Sequence, residues 1–373
     1  MALAVKPAVL LHEYPHRQSR TCRSGNIRDV LHAQGHDLTE TMIFGLSNSL
    51  GFTYRLPHET SEVTDYLMLT GLWHRGVHDL IANLALDCYE YLPSDEASHW
   101  QRIRRQLEEG RPVMLEVVLA KYMHYLEGAS LPGDESPKAE ERERFVSDWD
   151  SFFSRLKRVA GTHVVVVVGL DEAANKAYVI ENNLSRVQTV PLDVLKHASN
   201  PPEDLPLHPR GRFSVVRAPE QLPPLEPAIR KAIATTAHRM LHSTAPGDGV
   251  AGLERLAGEM QHWPERYPLD VVQNTLCLLY YLSEKASGGG MYRRLYGRFL
   301  HEAADLLQDD RMMQAAQAYY GLARQWRRFA TLLLAGVTNP AETLQSSVVI
   351  EMVREIAAQE RHAALLLQAS AQG

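Results

Sequence analysis

The sequence predicts an α+β protein: an N-terminal domain built on a central antiparallel sheet, then an all-α helical bundle. Three observations carry this. Val164 to Val168 are five consecutive β-branched residues, and Ala177 to Asn183 follows after a turn at Glu172 to Asn175, which reads as a hairpin. Proline-rich stretches, Asn200 through Pro209 and Pro219 to Pro227, mark a boundary on either side of one last strand, Arg212 to Arg217. Beyond Glu226 apolar residues recur at spacings of three and four, as in Tyr292, Leu295, Tyr296, Phe299, Leu300 and Ala303. The expected division is residues 1–220 and 226–373, with a helical insertion at about 128–160.

Composition narrows the function. A chain of 373 residues exceeds most single cores. Its 45% hydrophobic and 23% charged residues are those of an ordinary globular protein. The formal net charge of −6 leaves no basic stripe to neutralise phosphates, which argues against nucleic acid as a partner. Cys22, Cys88 and Cys277 are too widely spaced for a disulfide framework or a metal cluster, so no metal and a reducing cytoplasm are expected. Residues 1–12 lack a basic segment followed by a long apolar one, and no apolar run nears membrane-spanning length.

Taken in order, Val5 to Tyr14 reads as a short strand or extended arm. The segment from about Ser24 to Gln34 carries Ile27, Val30 and Leu31 at helical spacing and ends at Gly35, placing Cys22 at the helix start. Unpaired backbone N–H groups and the neighbouring Arg20 and Arg23 favour a thiolate there. Thr39 and Glu40 suit the start of a second short helix, and Ser47 to Tyr54 turns into a strand. In that stretch Asn48 and Tyr54 are the candidate substrate-binding residues. Val63 to Leu86 reads as one or two buried helices, Trp100 to Glu109 as an amphipathic helix and Pro112 to Leu119 as a strand. Cys88 is expected to be inert packing. Gly133 to Lys138 reads as a linker, and Phe145, Trp149, Phe152, Phe153 and Leu156 stripe one face of a helix over Ala139 to Lys157.

His163 stands at the mouth of the valine strand, with Glu181 and Asn182 at the far end of its hairpin partner. Helix-start cysteine, strand-start histidine and a carboxylate or amide on the next strand are what a Cys-His-Asp/Asn site needs. The imidazole takes the thiol proton, and the third group fixes its tautomer. Glu181 and Asn182 face opposite sides of the strand, so one of them orients His163. Gln18 is the candidate oxyanion donor, because its amide donates while staying neutral.

Cys22 with its helix, the segment from Glu40 to Tyr54, and His163 before its valines resemble the N-terminal domain of the butirosin biosynthesis protein H family. That family is similar in fold to papain-like, C39-type cysteine peptidases. The resemblance implies an acyltransferase: an acyl group leaves a carrier-protein or coenzyme-A-like thioester for Cys22 and then passes to an amine, giving an amide in natural-product biosynthesis. It also implies no cofactor of the protein's own, phosphopantetheine being carried by the acyl donor, with an acyl carrier protein as that donor. The family's histidine before the cysteine is Thr21 here, its glycine-rich loop is Gly45-Leu46-Ser47-Asn48-Ser49, and its third-member aspartate is Glu181. In papain-like enzymes the oxyanion glutamine lies six residues before the cysteine, where this chain has His16.

The C-terminal half resembles the uncharacterised helical domain that follows in this family, carried by Gly288 to Ala303. The expected helices are Pro227 to Leu241, Val250 to His262, Leu269 to Lys285, Tyr292 to Gln308, Arg311 to Ala335 and Pro340 to Gln368. Gly288 to Gly290 before Arg293 and Arg294 reads either as a connector or as an anion cradle at a helix start. The bundle offers a homodimer interface or a docking surface for a carrier protein. Rival functions are a papain-like peptidase or amidohydrolase, sharing the first half-reaction, and a non-catalytic binding scaffold.

Overall fold

A computed structural model describes residues 7–59, 66–73, 76–93, 95–118, 121, 162–202, 208–284 and 286–371. In chain order it contains β1 (Val9–Leu10), α1 (Cys22–His32), α2 (Glu40–Leu46), β2 (Leu50–Arg55), β3 (Met68–Leu72), α3 (Gly76–Leu84), β4 (Asp87–Tyr91), α4 (Glu96–Glu108), β5 (Val113–Val118) and β6 (Thr162–Asp171). There follow β7 (Lys176–Ile180), β8 (Gln188–Pro191), α5 (Leu192–Ser199), β9 (Phe213–Arg217), α6 (Leu225–His242), α7 (Gly249–Glu259), α8 (Trp263–Arg266), α9 (Leu269–Glu284), α10 (Arg293–Leu307), α11 (Asp310–Ala335), α12 (Pro340–Leu344) and α13 (Ser347–Ala371). The architecture is α+β, an antiparallel sheet in the N-terminal part and a helical C-terminal region. No helix among the described residues is long and apolar enough to cross a membrane. The insertion at about 128–160 and its aromatic stripe lie outside the described residues.

The described residues fall into two compact units. The first draws on Met1–Glu40, Leu86–Leu131 and Ala160–Gln221, the second on Thr41–Ala85 and Leu222–Gly373. One boundary between the units falls between Gln221 and Leu222, and Thr41–Ala85 belongs with the later helices.

In the first unit the sheet runs β4-β9-β5-β6-β7-β8, with β1 also paired to β6. Val164 to Val168 are all buried, because β6 is a central strand paired along one edge with β5 and, beyond it, β1, and along the other with β7. Val165 and Val167 pack on Trp100, Ile103 and Leu107 of α4 and Leu192 and Leu195 of α5 in one apolar cluster. Pairing of β6 with β7 begins at Val166↔Ile180, which leaves the start of β6 open on that edge. There α1 packs on β6, and Asn26 Nδ2 donates to the Val164 carbonyl at 2.8 Å.

In the second unit α11 packs against α9, α10 and α13, and α13 also lies along α6. Trp326, Phe329, Tyr296, Phe299 and Tyr319 fill this core. Arg293 and Glu360 form a fully buried ion pair at 2.6 Å, and Trp326 Nε1 donates to the same carboxylate at 2.8 Å. The strand pair β2-β3 packs with α7 and α9.

Several elements differ from expectation. The run expected to be helical before Leu86 contains β3, whose side chains alternate between half-buried and buried and pair antiparallel with β2. Helical spacing and alternation are not separable over five residues of mixed pattern. The sheet's two end strands β4 and β8, and the helix α5, had no signal strong enough to be read. The last helix is two, because Ser346 Oγ donates to the Thr343 carbonyl and caps the Val349 N–H, starting a new helix. Gly288, Gly289 and Gly290 have φ of 67°, 96° and 73°, and Met291 and Tyr292 continue left-handed at 54° and 69°. A side chain at Gly290 would strike the Ala323 main chain, so this is a packed corner, and Arg293 beyond it is engaged by Glu360.

Candidate active site

The chain before α1 is fixed at three points. Arg20 and Thr21 donate their backbone N–H groups to Glu40 Oε1, each at 2.8 Å. Burial holds the Glu40 carboxyl above its ordinary range, the two N–H groups acting in the opposite sense. Ser19 exchanges bonds with Asn182: Ser19 N–H to Asn182 O at 2.7 Å, and Asn182 Nδ2 to Ser19 O at 3.1 Å. A Cβ at Gly25 would overlap the Ser19 side chain, so glycine there lets the segment close against the helix. Thr21 then caps α1, accepting from the Ser24 N–H.

Cys22 is the first residue of α1 and is partly exposed. His163 lies within hydrogen-bonding range of its sulfur, and the Val164 N–H is directed at the same atom. His163 Nε2 meets Glu181 Oε1 at 2.8 Å and Oε2 at 3.0 Å; the side chains are 15% and 4% exposed. A carboxylate only accepts, so Nε2 carries a proton and Nδ1 is the nitrogen left for the sulfur. Burial alone would raise the Cys22 thiol, yet His163, the Val164 N–H and Arg23 together lower its pKa below the ordinary value. Burial likewise pushes His163 down, but Glu181 and the Cys22 sulfur raise it well above the usual imidazole range. Both shifts favour a thiolate beside an imidazolium, the reactive form of such a pair.

Asn26 accounts for the approach. It lies four residues after Cys22, on the same face of the helix, and is fully buried. Its bond to the Val164 carbonyl, with the Val164 N–H on the sulfur, makes one residue of β6 hold the helix at two points.

The remaining candidates have different partners. Asn182 is tied to Ser19, so it positions the chain before the cysteine, and Glu181 is the group on His163. Gln18 gives an amide N–H to the Asn183 carbonyl at 2.7 Å. Among the described residues nothing accepts from the backbone N–H of Cys22. Asn48 lies in the second unit, 2% exposed and left-handed at φ 48°, and donates its N–H to the Gly45 carbonyl, which ends α2. Tyr54 is fully buried in that unit; its hydroxyl donates to Glu259 at 3.0 Å and accepts from Trp263 Nε1 at 3.0 Å. Its ring and hydroxyl serve a core. Cys88 sits on the end strand β4, where burial and the neighbouring Glu90 and Asp87 push its thiol up to about 11, leaving it protonated and unreactive near neutrality. Cys277 is buried in α9.

Sequence reasoning missed Asn26 and Glu40 as parts of this arrangement. Asn26 had a signal, an amide one helical turn after the cysteine on the face turned to the strand; Glu40 had none, its role depending on a loop closure twenty residues long.

A thiol, an imidazole and a carboxylate in succession are the set of a cysteine-nucleophile site. Residues 21–130 match the family model described as Butirosin biosynthesis protein H, N-terminal, and residues 203–367 that described as Domain of unknown function (DUF4872). The two matches stand in the order that the sequence resemblance implied, the first in the N-terminal part and the second in the C-terminal part. A comparison with curated proteins finds no match.

Proposed function

We propose that this protein is a cysteine acyltransferase that takes an acyl group from a carrier-bound thioester and delivers it to an amine. The observation that carries the reading is the lowered Cys22 thiol beside His163, itself held by Glu181. The family named for a biosynthetic protein gives the context.

The thiolate of Cys22 attacks the thioester carbonyl, giving a tetrahedral oxyanion. In this reading the N–H of Cys22 at the start of α1 receives that charge, and Gln18 supplies a further amide donor once its bond to Asn183 is exchanged. Collapse breaks the carbon to sulfur bond of the donor, whose thiolate takes the proton from His163. The acyl-enzyme then meets an amine; His163 removes a proton from the attacking nitrogen and returns it to Cys22 as the amide leaves. Throughout, Glu181 holds the Nε2 proton and stabilises the imidazolium. The protein supplies no cofactor; the donor brings its phosphopantetheine arm, an acyl carrier protein presents it, and the reaction takes place in the cytoplasm.

Partitioning tests the reading. Acyl-carrier thioester is mixed with the protein, with and without a panel of primary amines, and products are resolved by mass. Amide in proportion to amine supports transfer, whereas release of free acid at a rate indifferent to amine marks a hydrolase.

A further inference from the structure

His16 stands outside the chemistry described so far, six residues before Cys22. Its ring makes two short contacts: Nδ1 to Asp29 Oδ2 at 2.7 Å and Nε2 to the Leu184 carbonyl at 2.6 Å. Both partners are acceptors, so both ring nitrogens must donate, and only the imidazolium can do that. Arg28 lies against Asp29, its guanidinium 2.7 Å from Oδ1. The side chains of His16, Arg28 and Asp29 are 6%, 6% and 2% exposed.

The three segments joined here are those that carry the site. Asp29 and Arg28 belong to α1, the helix of Cys22. Leu184 closes the turn after β7, its N–H bonded to the Glu181 carbonyl at 3.1 Å. Arg28 also donates to the carbonyls of Arg17 and Gln18, in the chain leading to the nucleophile. We propose that His16 is a positioning residue: as an imidazolium it ties Asp29 on the nucleophile's helix to the Leu184 carbonyl in the turn that carries Glu181, and the tie opens when the ring loses its proton. A neutral ring would set a lone pair against one of two oxygens under 3 Å away and lose one arm of the clamp.

The charged and titratable groups around His16 agree with this. From α1 it faces Asp29 with Arg28 behind it; from its own segment the buried hydroxyl of Tyr14 lies near both; from the turn after β7 the Leu184 carbonyl faces it. Burial would lower its pKa, but the bonds to Asp29 and Leu184 prevail and raise it.

This rests on the acyltransfer reading only for where the clamp acts, so the test needs no acyl donor. Alkylation of Cys22 by iodoacetamide is followed from about pH 5 to about pH 10 in the full chain and in His16→Phe and His16→Lys. His16→Phe, folded by circular dichroism, should lose about 10-fold or more of the alkylation rate at neutral pH, the scale of lost orienting contacts around reactive groups. His16→Lys, which keeps the charge and N–H donors, should recover most of it. A folded His16→Phe that alkylates like wild type across the range overturns the proposal. If that variant does not fold, wild type with 15N-labelled histidine decides: both ring nitrogens of His16 should be protonated at about pH 7, and a neutral ring at about pH 6 overturns it. Failure of thioester turnover with these results intact would remove the acyltransfer reading and leave the clamp.

Discussion

Glu181 holds His163 through both carboxylate oxygens, at 2.8 and 3.0 Å from Nε2. The contact fixes the ring so that its other nitrogen is turned to the sulfur, and it supplies the charge that keeps the ring protonated. Glu181→Gln preserves the shape and removes the charge. Its kcat should fall by about 10- to 100-fold, below the ~10⁴-fold loss known when an orienting amide imposes the wrong tautomer. The alkaline limb of its pH profile should move down toward the ordinary imidazole value. An unchanged alkaline limb in steady-state kinetics would remove Glu181 from this role.

The pH window of the pair follows from the two shifts. Cys22 has a lowered pKa, so the stability of its thiolate is present above the unfolded value of a cysteine and is lost as pH falls through the lowered folded value. His163 has a raised pKa, so its contribution is present below the unfolded value and is lost as pH rises through the raised folded one. Thiolate and imidazolium therefore coexist between the two folded values. Thiolate absorbance in the ultraviolet should persist at pH values where an ordinary cysteine is protonated, and His163→Ala should return its midpoint toward the ordinary value. The midpoints belong to the pair and not to either residue.

Asn26 carries a packing consequence. Asn26→Ala removes the amide that holds α1 to the Val164 carbonyl, leaving that buried acceptor unpaired, at a cost of about 1–3 kcal/mol. Urea unfolding should show the loss, and Cys22 alkylation should slow with it. A stable variant with normal Cys22 reactivity would show that β6 and α1 meet without this bond.

The helical unit has its own test. Glu360→Gln leaves the fully buried Arg293 guanidinium without its counter-charge, which should cost about 3–5 kcal/mol. Denaturant unfolding of the full chain checks this; a loss under about 1 kcal/mol would mean that Arg293 finds another partner.

How much was legible in the sequence follows physical lines. The valine run defined β6 because five β-branched residues have few alternatives, and the long helices of the second unit were readable from apolar spacing sustained over many turns. Cys22, His163 and Glu181 were readable as types in order, and the choice of Glu181 over Asn182 was not, because it depends on Ser19 taking the amide. Asn48 and Tyr54, the candidate substrate-binding residues, stand at a left-handed helix end and in a buried hydroxyl pair, settings that depend on packing no local pattern records. His16 was noted only as the residue standing where a glutamine was expected; its two acceptors come from residues 13 and 168 positions away, which no local pattern records.

The central claim is that Cys22 carries the acyl group. Intact-protein mass spectrometry after brief exposure to a panel of acyl-carrier and coenzyme A thioesters should show a mass gain of one acyl group, mapped by peptide analysis to Cys22, lost in Cys22→Ala and slowed in His163→Ala. Wild type that gains no mass with any donor, or an adduct that persists in Cys22→Ala, would contradict it.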